Sequence, residues 1–101
     1  MSAEAYLIEI FLPLADNLGR GFAPEKFAEM AEELKRQFDG VTVYDRKPAR
    51  GKTQDSSDDI IIFEVMTADL ERAWWASYRA RLEQDFEQDE ILIRATRIEK
   101  L

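Results

Sequence analysis

The chain has 101 residues, 21 acidic and 14 basic, for a net charge of −7, and contains neither cysteine nor histidine. That excludes disulfides, thiolate or imidazole metal sites, a cysteine nucleophile and a histidine base, and leaves carboxylates, Lys, Arg and Tyr for any chemistry. The acidic balance opposes phosphate backbones and anionic lipid, so neither a nucleic-acid partner nor a membrane surface is expected.

The length suits a single domain, residues 1–101, around one core. Its longest apolar stretches, residues 6–14 and 60–63, are too short to span a bilayer. The first five residues carry no basic segment and no signal-peptide pattern, so a cytoplasmic location is expected.

In chain order, residues 6–12 are rich in β-formers and stop at Pro13, which predicts a first strand. Residues 16–21, with Gly19 and Gly21, have loop chemistry. Pro24 suits the first position of a helix and Glu25 its positive end. Phe27, Met30, Ala31, Leu34 and Phe38 then recur at helical spacing, and Gly40 stands where a C-terminal cap belongs. Residues 41–44 predict a short second strand, and residues 45–58, polar with Pro48 and Gly51, a long hairpin loop. Residues 59–66 predict the third strand. Thr67 is placed to cap a second helix, with Asp69 and Glu71 in its first turn. Leu70, Trp74, Tyr78, Leu82 and Phe86 continue every fourth residue as its core stripe, with Trp75 at the border. Residues 90–98 predict the last strand.

Two strand–helix–strand halves joined by a hairpin predict an α+β, ferredoxin-like βαββαβ sandwich. Right-handed crossovers favour an antiparallel four-stranded sheet in the order 4-1-3-2, with both helices on one face. Residues 15–23, 45–58 and 87–90 then share one end of the sheet, and both termini the other. Asp16, Asn17, Arg20, Arg46, Arg50, Lys52 and Gln88 meet at the loop end. The face without helices is expected to carry Leu7, Phe11, Ile60, Ile62, Met66, Leu92 and Ile98, an apolar surface too large to leave in water. A second copy of the chain is the simplest cover, because a twofold contact uses the same patch twice.

Two groups stand out as candidate sites. Glu9, Glu64 and Arg94 fall near the middle of three strands on the uncovered face. Two carboxylates sharing one arginine in an apolar setting offer a general acid or base, with Arg94 holding an anionic substrate. The same trio also reads as an ion-pair cluster that sets dimer register. The second group is the basic run around Arg46, Arg50 and Lys52, with Asp16, Asn17 and Arg20 facing it, a candidate site for a small anion. The run lacks the spacing of a phosphate-binding loop, and a solvated loop is its plainer reading. The Trp74–Trp75 pair reads as core or interface packing.

The segments Phe11-Leu-Pro-Leu-Ala-Asp-Asn17, Gly40-Val-Thr-Val-Tyr44, Pro48-Ala-Arg-Gly51 and Phe63-Glu-Val-Met66 resemble a family of small bacterial proteins of unknown function. Trp74-Trp-Ala-Ser-Tyr-Arg79 and Phe86-Glu-Gln-Asp-Glu-Ile91 extend the resemblance over nearly the whole chain. It implies a bacterial source and the same fold, and carries no activity with it. By topology the chain is also similar to the dimeric α+β barrels, which include cofactor-free monooxygenases, haem-degrading enzymes and isomerases. The haem branch would need an axial histidine that this chain lacks. The leading expectation is a homodimeric small-ligand-binding or interaction module without a cofactor. The alternative is a cofactor-free monooxygenase- or isomerase-like enzyme using a sheet-face carboxylate.

Overall fold

A computed structural model describes residues 3–46 and 60–101, with residues 3 and 43–46 described through their backbone alone. Six elements follow in the expected order: β1 (Ala3–Pro13), α1 (Pro24–Gln37), β2 (Gly40–Arg46), β3 (Ile60–Thr67), α2 (Arg72–Asp85) and β4 (Leu92–Lys100). The strands form one antiparallel sheet in the order β2-β3-β1-β4, the predicted 4-1-3-2 order read from its other edge.

Alternation along the strands sets the two faces. Ile8, Ile10 and Leu12 of β1 join Ile61, Phe63 and Val65 of β3 in the buried core, with Phe27, Met30 and Leu34 from α1 and Trp75, Tyr78 and Leu82 from α2. Both helices therefore cover the same side of the sheet. Burying each of these large side chains stabilises the fold by about 1.5–3 kcal/mol before the conformational entropy it costs. α1 starts at Pro24, whose missing N–H is no loss in a first turn, and ends where the Phe38 N–H reaches the Leu34 carbonyl.

Three local expectations are corrected. Trp75, not Trp74, is the buried member of the pair, so the α2 stripe runs Trp75, Tyr78, Leu82, Phe86. Adjacent helical positions point about 100° apart, and a stripe begun at Leu70 drifts off the core side. Leu70 itself lies before the helix. Thr67 ends β3 and donates its hydroxyl to the Asp69 carbonyl, while the N-cap position of α2 belongs to Glu71 and has no side-chain cap. Gly40 opens β2 instead of capping α1, and the one glycine with positive φ among the described residues is Gly19, at 83°.

The ends of the sheet are arranged as expected. Ala3 pairs with Lys100 at the end where the chain begins and finishes, while Pro13 pairs with Ile60, and Ile60 with Arg46, at the other. The loops after β1 and α2 therefore lie at the second end.

Candidate functional site

On the helix-free face, four residues from four strands form one row. Thr42 pairs with Glu64, Glu64 with Glu9, and Glu9 with Arg94. Directly paired residues project to the same side of a sheet, so register alone brings the three expected charged residues together. Arg94 Nε donates to Glu9 Oε1 at 2.7 Å, and the guanidinium stands 5.0 Å from the Phe11 ring. The Glu9 side chain is 14% exposed and that of Arg94 55%. The carboxylate thus sits low in the surface with the guanidinium across its mouth.

Around this row the face is apolar. Leu7 pairs with Met66, Phe11 with both Ile62 and Leu92, and Ala5 with Ile98. Met66 and Leu92 are the exposed large hydrophobics of the face. Ile62 is buried on this side, apart from the core cluster under the helices.

The loop end is built differently. Asp16 accepts hydrogen bonds from the Leu18 and Arg20 backbone N–H groups and from Arg20 Nε, each at 2.9 Å. An isolated bridge between Ala15 and Gly21 closes the loop behind it. The Arg20 backbone N–H, more than any other partner, holds the Asp16 carboxyl below its ordinary value. Asp16 and Arg20 therefore clasp their own loop. Asn17 is exposed beside them. Gln88 donates from Nε2 to the Phe86 carbonyl within its own turn. Arg46 closes β2 in its backbone pair with Ile60, and Arg50 and Lys52 lie outside the described residues.

A concavity of about 700 Å³ lies between the helices and is lined by charged side chains from both. Arg81 is hydrogen-bonded to Glu33, and Lys26 Nζ donates to the Asp85 carbonyl at 2.6 Å. Burial pushes the Tyr78 hydroxyl well above its ordinary value, and the Glu33 charge adds to that. Tyr78 thus stays protonated, with Arg81 stacked over its ring at 5.0 Å.

Among the described residues no group of three or more acidic side chains could hold a metal ion, and no helix is long and apolar enough to cross a membrane. Arg72, Arg79 and Arg97 line a groove between α2 and β4, and sequence reasoning passed over Arg72 and Arg97. The available signal was a seven-residue spacing of Arg72 and Arg79 on one helix, with Arg97 at a helix-facing position of β4. No protein-family model and no curated protein matches this sequence.

Proposed function

We propose that the chain is a non-catalytic binding or interaction module that pairs with a second copy of itself through the helix-free face of its sheet. The observation behind this is the composition of that face. Leu7, Phe11, Ile60, Met66, Leu92 and Ile98 surround the Glu9–Arg94 ion pair on the side opposite both helices. A single polar row, Thr42, Glu64, Glu9 and Arg94, inside an apolar surface resembles a contact site more than a wetted sheet, whose outer residues alternate with the core as polar ones.

The size of the face also suits a second copy. Four strands about 4.8 Å apart, each about eight residues long at about 3.4 Å per residue, project roughly 500 Å². A standard contact covers about 800 Å² of accessible surface per partner, which a corrugated face of this projection approaches. The ion pair would then fix the register of the contact, because sliding it off centre would leave charges against apolar side chains. An acid–base role for Glu9 would ask its carboxylate to take a proton from substrate. Its hydrogen bond from Arg94 favours the ion-pair role instead.

Light scattering on a sizing column, over a range of concentrations, tests this reading. A mass near twice the chain's 11.8 kDa is expected. The Leu92→Lys variant should shift it to the monomer, since Leu92 is 52% exposed in the single chain and no core residue. A monomer at every concentration would overturn the proposal.

A further inference from the structure

On the helix side of the sheet, α2 leaves the edge strand β4 partly uncovered. Ala76 on α2 and Ala95 on β4 both line the resulting groove, and their small side chains leave a space of about 550 Å³. Its apolar walls include Ile8, Trp75 and Ile93, and its polar side chains include Arg72, Arg79 and Arg97. Arg94 also borders it, with its guanidinium held by Glu9 on the other face. No Asp or Glu lines it.

That charge arrangement runs against the rest of the molecule. Acidic residues outnumber basic ones by 21 to 14, so partners for three guanidinium groups are abundant in the chain. Yet neither Arg72 nor Arg97 makes an ion pair among the described residues, and Arg79 has only a long 3.9 Å approach from Nε to Glu83. Glu4 and Glu99 face each other two pairs beyond Tyr6 and Arg97, outside the lining. Gathering like charges costs free energy unless something of opposite sign completes the site.

A second observation is independent of charge. Trp75 is 6% exposed, and its indole N–H is buried with no acceptor. Buried donors are almost always satisfied, and this one belongs to the ring that forms one wall of the groove. Guanidinium groups with no close acidic partner, next to these apolar walls, describe the complement of an anionic head on a flat apolar body. The volume lies within the range of small-molecule sites.

We infer that the groove between α2 and β4 binds a small organic anion, an apolar or aromatic carboxylate whose head group is held by Arg72, Arg79 and Arg97 and whose body lies along Ile8, Trp75 and Ile93. Arginine suits this task, because its planar fork grips a carboxylate and its face stacks on aromatic rings. The site lies on the opposite side of the sheet from the proposed dimer contact and stands whether or not the chain dimerises.

The test is a titration of the ¹⁵N-labelled full chain with 1-naphthoate and, at matched concentrations, neutral 1-naphthalenemethanol. The Trp75 indole N–H and the arginine Nε–H signals are followed by NMR, with Trp74→Phe identifying the Trp75 resonance. Naphthoate should shift the Trp75 and Arg97 signals saturably, and the neutral alcohol should bind about tenfold more weakly. Arg97→Gln, and separately Arg72→Gln, should each weaken naphthoate about tenfold while the dispersed spectrum stays intact. Both residues are exposed and outside the core, so the fold should tolerate either change. Equal binding of acid and alcohol, unchanged affinity in both variants, shifts confined to the helix-free face, or no saturable shift at Trp75 would each overturn the assignment.

Discussion

Arg94 and Glu9 sit directly opposite each other on β4 and β1, and the 2.7 Å hydrogen bond between them joins the edge strand to the centre of the sheet. The bond lies where residues 85 positions apart are brought together only by topology. It is half in water, since the arginine stays exposed while the carboxylate does not.

A double-mutant cycle with Glu9→Ala and Arg94→Ala measures what the pair contributes. Exposed pairs couple by roughly 0.2–1 kcal/mol, and the good geometry here places the expected value near the upper end, about 1 kcal/mol, in urea unfolding of the monomer. In the dimer the same pair would be desolvated, so the single variants should also weaken association. A coupling indistinguishable from zero would mean that the pair adds nothing to the stability of the sheet.

The two tryptophans separate by environment. Trp75 stacks on Phe38 with ring centroids 5.2 Å apart and is buried, while Trp74 is half-buried at the margin. Trp75→Ala should therefore cost about 3–5 kcal/mol, the range for removing a buried large aromatic, and Trp74→Ala less than half of that. Chemical denaturation of both variants decides the order. Equal losses would mean that the stripe of α2 is rotated from the one described.

Much of this fold was legible because strands announce their faces. Ile8, Ile10, Phe63 and Val65 sit at alternate positions, and a one-residue slip would move all of them out of the core. That alternation puts Glu9, Glu64 and Arg94 on one face, and only the register of the folded sheet sets them in one row. Where the reading failed, the deciding information was three-dimensional or depended on one residue of phase. A stripe begun at Leu70 starts two residues before the helix, which exchanges the roles of Trp74 and Trp75. Asp16 and Arg20 read as ligand groups because nothing in a loop sequence shows that a side chain will bond its own backbone. The groove arginines were harder still. Arg72 and Arg79 look like the solvated side of a helix until β4 is laid beside them with Ala95 and Arg97 toward α2.

Asp16 gives a pH dependence with a definite sign. Its folded-state value lies below the ordinary 3.8, so its contribution is fully present above that pH and is lost as pH falls through the folded value. Asp16→Asn keeps an oxygen for the loop N–H groups but removes the charge. The stability difference between wild type and this variant should be constant at neutral pH and shrink on acidification below about pH 4. Thermal unfolding from pH 2 to 7 tests it. A difference unchanged across that range would show that the Asp16 charge plays no part in the clasp.

The last turn of α2 supplies a stabilising substitution. Glu87 N–H bonds the Gln84 carbonyl at 3.2 Å and Gln88 N–H bonds the Glu83 carbonyl at 2.9 Å. This is the paired pattern of a Schellman ending, in which the residue after the cap takes a left-handed conformation. Glu87 does so at φ 51°, the one non-glycine residue with positive φ among those described. A side chain there costs roughly 1–2 kcal/mol, and glycine gives back part of that through its more flexible unfolded state. The Glu87 side chain is exposed and makes no ion pair or side-chain hydrogen bond among the described residues, so little else is lost with it. Glu87→Gly should raise stability by about 0.5–1 kcal/mol, and Glu87→Ala, which keeps the Cβ, should not. Urea unfolding of the two variants side by side separates the backbone effect from the loss of charge. If alanine stabilises as much as glycine, the gain comes from removing an acid at the helix C-terminus, and the turn is not strained.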